Sequence, residues 1–142
     1  GDASRRGERK KSTSCFFFSW GIRMPTEPDD YVFDHVGITT TEVQPEEDWV
    51  EASKIWVTNP RKHPEHIEFL RYREDSTVPA EVRYNPHVAY RVKDLKPHIE
   101  AEGVEILIPP FIVGDFLEVV FVKKHGMVFE YMRYLKDGWF GN

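Results

Sequence analysis

Along most of the chain, apolar and polar positions alternate every second residue, and little of it recurs at helical spacing. Tyr31-Val32-Phe33-Asp34-His35-Val36-Gly37-Ile38 sets the pattern with aromatic and β-branched residues, which fit a pleated surface. Residues 54–58, 66–72, 87–92, 104–108, 117–122 and 128–134 read as strands for the same reason. The last two predict a hairpin around residues 123–127. Pro109-Pro110 is expected to end the strand before it, because proline cannot donate to a ladder. Residues 59–64, with two prolines, read as a turn.

Helix signals are few. Pro45-Glu46-Glu47-Asp48-Trp49 predicts a short helix, with proline in the first turn and carboxylates at the positive end of the dipole. Asp94 predicts the N-cap of a second helix over about 95–102, stopped by Gly103. Residues 74–86 form a polar connection, and residues 137–142 a turn-like tail.

The two halves repeat in order. His35-Val36-Gly37-Ile38 matches His87-Val88-Ala89-Tyr90 as His, Val, small, apolar. Ile67-Glu68-Phe69-Leu70-Arg71-Tyr72 matches Phe129-Glu130-Tyr131-Met132-Arg133-Tyr134 as apolar, Glu, aromatic, apolar, Arg, Tyr. The interval from His to Glu is 33 residues in the first half and 43 in the second, a difference that a shorter helix or strand absorbs. The pattern predicts an internal duplication.

Strand alternation places His35 on a face with Phe33 and Gly37. It places Glu68 with His66, Leu70 and Tyr72, and Glu130 with Val128, Met132 and Tyr134. A carboxylate among apolar neighbours is costly to bury unless it is paired or metal-bound. Two imidazoles and two carboxylates in one cavity would satisfy each other around a divalent cation. That donor set suits zinc, nickel, iron, cobalt or manganese better than calcium or magnesium. His66, two residues from Glu68 on the same predicted face, is an alternative ligand.

Composition narrows the function. The 142 residues carry a formal charge of −5, with six basic and two acidic side chains in residues 1–23, so the body is the acidic part. An acidic body argues against a nucleic-acid surface. No apolar run approaches the roughly 20 residues of a membrane-spanning helix. One cysteine, Cys15, excludes an internal disulfide framework and multi-cysteine metal sites. The basic head and Cys15-Phe16-Phe17-Phe18 only loosely suggest a signal peptide, so residues 1–28 read as a disordered or added extension, with Met24 a candidate start and a cytoplasmic location expected.

The ordered His/Glu recurrence over residues 31–135 resembles the vicinal oxygen chelate superfamily, which includes glyoxalase I, bleomycin-resistance proteins and extradiol dioxygenases. The resemblance implies an α+β fold of two βαβββ modules, residues 29–75 and 84–136, in a curved mixed sheet around a cavity, the first module shortened. It implies His35 and Glu68 as metal ligands from one module, and His87 and Glu130 from the other. It further implies a metal-dependent lyase or isomerase acting on a small substrate with vicinal oxygens through a metal-stabilised enediolate, with Glu130 or Glu68 as general base, in a homodimer. No residues match a glutathione-binding set. Two other readings stand beside it: a non-catalytic small-molecule binder like the bleomycin-resistance proteins, and an extradiol dioxygenase, which a fourth ligand disfavours.

Remaining residues take plainer roles. Glu118, Arg71 and Arg133 read as solvent-side. His63, His98 and His125 read as loop or helix-surface groups. Trp49, Trp56, Phe111 and Phe116 read as core or dimer contacts.

Overall fold

Eight strands form a single mixed sheet in the computed structural model, which describes residues 31–140, so the residue 1–28 extension lies outside the described residues. The strands are β1 (Val32–Thr39), β2 (Asp48–Val50), β3 (Ile55–Val57), β4 (Ile67–Tyr72), β5 (His87–Arg91), β6 (Glu105–Val113), β7 (Leu117–Lys124) and β8 (Met127–Tyr134). Two short helices, α1 (Ala80–Arg83) and α2 (Lys96–Glu100), and a 3₁₀ turn at Pro60–Lys62 complete the regular structure.

Their order across the sheet is β2-β3-β4-β1-β5-β8-β7-β6. β1 and β5 pair antiparallel at the centre, and each has a parallel neighbour on its outer side, β4 for β1 and β8 for β5. Outward from the centre, each half therefore follows the same sequence of first, fourth, third and second strand. The sheet curls into a half-barrel, consistent with a glyoxalase-like α+β fold.

The second half follows the expected strand, helix and three strands. In the first, no helix forms: Pro45 and Glu46 make a turn, with Glu46 at a left-handed φ of 58°, and the predicted helix gives way to β2. Only residues 40–47 separate β1 from β2, too few for a helix that crosses back over the sheet. The second helix runs as Lys96–Glu100, and Asp94 Oδ1 accepts the Lys96 N–H at its start.

Pro109-Pro110 does not end a strand. β6 runs through both prolines to Val113, with register shifts between Ile106 and Ile108 and between Ile108 and Phe111. β6 is the outermost strand, where missing donors face away from any partner, so proline is tolerated. The β7–β8 hairpin closes through His125 and Gly126, both with positive φ, as a two-residue hairpin loop requires.

Side chains on the inner face form the main core, including Val57, Leu70, Val119, Phe121 and Met132. On the outer face of the second half, α2 packs over Val120, Val122 and Tyr131. β7 is therefore covered on both sides, which explains why Val119-Val120-Phe121-Val122 is continuously apolar rather than alternating. His98 is not a surface residue: it is buried on α2, stacked against Tyr31 and Tyr131.

Candidate metal centre

The four repeated groups converge. His35, Glu68, His87 and Glu130 each offer a donor atom, and these atoms all lie within 4.8 Å of one another. His35 Nε2 is 3.2 Å from both Glu68 Oε1 and Glu130 Oε1; His87 Nε2 is 3.2 Å from Glu130 Oε1 and 3.9 Å from Glu68 Oε1. All four side chains are buried, with 0%, 6%, 1% and 6% of the respective residues exposed. They come from β1, β4, β5 and β8 of one chain, the four central strands of the sheet.

Register explains the convergence. Gly37 on β1 lies opposite Glu68 on one side and His87 on the other. Ala89 on β5 lies opposite His35 on one side and Glu130 on the other. Each histidine thus faces the small residue of the neighbouring strand, which leaves room for the ring. The position is tight: a Cβ at Gly37 would sit 2.0 Å from His87 Cε1. The "small" position of the repeat makes room for both imidazoles.

β1 departs from simple alternation beside the site. A register shift between Phe33 and His35 lets Asp34 and His35 both turn inward, while Phe33 is 47% exposed and does not share the His35 face. Asp34 Oδ2 then lies 2.7 Å from His35 Nδ1, and its Oδ1 accepts from Arg91 Nη2 at 2.9 Å. Burial alone would push the Asp34 carboxyl up, but His35, Arg91 and Arg61 bring it down to about 2. Asp34 therefore holds the His35 ring by Nδ1 and leaves Nε2 aimed at the carboxylates.

Burial alone would depress the His35 pKa, yet Glu68, Asp34 and Glu130 raise it well above the ordinary imidazole value. Burial would likewise raise Glu130, and the two imidazoles beside it lower it to about 2. Even so, the Nε2 atoms of His35 and His87 make no hydrogen bond. Two buried nitrogens aimed at two carboxylates, with donors 3.2–3.9 Å apart, fit a cation at about 2.0–2.2 Å, for which adjacent ligands stand roughly 3–3.5 Å apart.

The centre opens on a cavity of about 50 Å³ with largely apolar walls. That holds a few waters and falls far short of the roughly 300 Å³ typical of a ligand pocket. Tyr72 lines it, and burial together with Glu68 and Glu130 pushes its phenol up, so the hydroxyl stays protonated.

All four ligands read from the repeat thus meet. His66 does not join them: it is exposed, and its Nδ1 bonds the Asp34 carbonyl. Arg71 pairs with Glu47 and lies over Trp56, and Arg133 pairs with Glu118, all away from the centre. Sequence reasoning missed Asp34, because adjacent strand residues ordinarily point apart. It also missed Trp139, which was assigned to the tail but is 4% exposed against the cavity.

No known protein family matches the chain, and neither does any curated protein. Among solved structures, the chain is similar to the crystal structure of hypothetical protein BH1468 from Bacillus halodurans C-125. That likeness has a TM-score of 0.58 and 16% identity, and covers 77% of this chain and 98% of the other. At that identity the likeness is one of fold.

Proposed function

We propose that the protein is a metal-dependent lyase or isomerase of the glyoxalase-like kind, acting on a small substrate with two neighbouring oxygens. The observation that carries this reading is the convergence of His35, Glu68, His87 and Glu130 around two imidazole nitrogens with no hydrogen bond. A non-catalytic binder would have no use for four ionisable groups turned into one dry cavity. The carboxylate pair balances a dication, and the mixed nitrogen and oxygen set selects a transition metal.

When bound, the ion supplies a Lewis acid for the substrate oxygens. The chain does the rest. His35 and His87 present Nε2, and Asp34 fixes the His35 ring. Glu130, 3.2 Å from both imidazoles, is the more firmly held carboxylate; Glu68, with one imidazole at 3.2 Å and the other at 3.9 Å, is the looser. Glu68 is therefore the better candidate to accept a proton from the carbon next to the substrate carbonyl. The apolar wall keeps water from competing for that proton.

The test is elemental analysis of untagged protein, with thermal melts in zinc, nickel and manganese. Near-stoichiometric metal and a raised Tm support the reading. Less than about a tenth of an equivalent, with no thermal protection by any of the three, defeats it. Proton exchange of candidate hydroxy-ketones in deuterated water then tests catalysis, and light scattering tests the expected homodimer. Among the described residues no helix is long and apolar enough to cross a membrane.

A further inference from the structure

With all four donors buried, neither an ion nor a substrate reaches them unless part of the wall moves. Two segments close the cavity over the sheet. One is the connection carrying α1, which contributes Val78 and Val82; the other is the end of the chain, which contributes Trp139 and Phe140.

The two are anchored differently. Ser76 Oγ donates to the Ser53 carbonyl at 2.6 Å, and Arg83 donates to the carbonyls of Ser76 and Arg73, so the α1 segment is tied to the chain at several points. The tail leaves the sheet after Leu135, whose N–H donates to the Phe116 carbonyl at 2.8 Å. Beyond it, among the described residues, Lys136 pairs with Asp115 at the surface, and the Trp139 indole Nε1 donates to Asp48 Oδ2 at 2.9 Å. Gly138, just before the indole, has a φ of +114°, a conformation other residues rarely adopt, which marks a pivot.

Trp139 also borders more than one space. The same indole lines the inner cavity of about 50 Å³, a pocket of about 410 Å³ beside Thr58, His63 and Phe69, and one of about 240 Å³ beside Arg61, Arg91 and Tyr134. It is a partition between spaces too small and large enough for a ligand.

We infer that Trp139 is the door of the cavity: its indole, latched to Asp48 and pivoting at Gly138, swings out to join the donor cavity to the outer pockets. The outer pockets then seat the unreactive part of the substrate, with Thr58, Asn59 and His63 offering hydrogen bonds over the Phe69 ring. This rests on the proposed centre only for what the door serves; the door itself is a statement about access.

The test reads access without any metal. Val57 lines the cavity and is 4% exposed. In a Cys15→Ser background, Val57→Cys is labelled with methyl methanethiosulfonate, with Trp139→Ala, Trp139→Phe or Ser76→Ala added. Trp139→Ala is expected to speed labelling at least tenfold and Trp139→Phe, which keeps a ring but loses the latch, severalfold; Ser76→Ala stays within twofold of the parent. Should Trp139→Ala fail to fold by circular dichroism, Trp139→Phe decides alone. Parent-like labelling in folded Trp139 variants, or equal acceleration by Ser76→Ala, overturns the inference. Gated labelling in a protein that takes up no metal upholds the door and refutes the metal centre, so the two failures are told apart.

Discussion

Gly37 and His87 sit directly opposite each other across the two central strands, and the imidazole of one fills the space where the other would carry a side chain. A methyl group at Gly37 meets three ring atoms of His87 at 2.0–2.6 Å, so ring or backbone has to move. Gly37→Ala is expected to cost about 1–3 kcal/mol of stability, the usual range for overpacking. It should also weaken metal binding by at least tenfold. Denaturant melts and chelator competition measure the two effects; a variant that binds metal normally would show that His87 is not a ligand.

Asp34 acts on the centre through His35. Asp34→Asn keeps the shape but removes the charge beside Nδ1, and metal affinity is expected to fall 10–100-fold, as for other groups that orient a ligating histidine. The carboxyl also links stability to pH. Its folded pKa of about 2 lies below the ordinary 3.8, so its contribution is present above about pH 4 and is lost as pH falls toward 2. A shift of nearly two units is worth about 2 kcal/mol. Acid unfolding of Asp34→Asn should be correspondingly flatter between pH 4 and pH 2.

His35 makes metal uptake proton-linked. Its pKa is held well above the ordinary 6.5 in the metal-free protein, so at neutral pH an ion must displace a proton from Nε2. Apparent affinity should therefore rise with pH, and calorimetry in buffers of different ionisation enthalpy should detect proton release. The sign for stability is the opposite of Asp34: a raised pKa contributes fully below pH 6.5 and is lost as pH climbs through the folded value. Metal-free protein should thus lose stability on the alkaline side, while loaded protein is less affected.

The two glutamates should separate by role. Glu130→Gln, removing the carboxylate closest to both imidazoles, is expected to lower metal affinity at least 100-fold. Glu68→Gln should keep affinity within about tenfold and lose turnover instead. Chelator competition on both variants decides it, and equal losses would remove the case for Glu68 as proton acceptor.

Much of the centre was legible because its four groups are written twice. His-Val-small and apolar-Glu-aromatic recur in order, and strand alternation alone turns Glu68 and Glu130 inward. What escaped depends on contacts that alternation does not encode. Asp34 reaches His35 only through a bulge, and a bulge leaves no periodic mark. Pro109 and Pro110 are strand breakers only where a neighbour needs their donors, and the outermost position of β6 was not visible in the chain. The acidic stretch at Pro45 has the composition of a helix start, but the distance to β3 leaves no length for one. His98 looked like a surface residue because its burial comes from Tyr31 and Tyr131, both distant in sequence.

The two halves of the sheet are unequally built: β2 and β3 have three residues each, where their counterparts β6 and β7 have nine and eight, and only the second half carries a helix on its outer face. His35 and Glu68 hang from the slight half, His87 and Glu130 from the sturdy one. An ion gripped by all four would be a rivet across that seam, and the slack it removes lies farthest from it, at the frayed margin of β2 and β3.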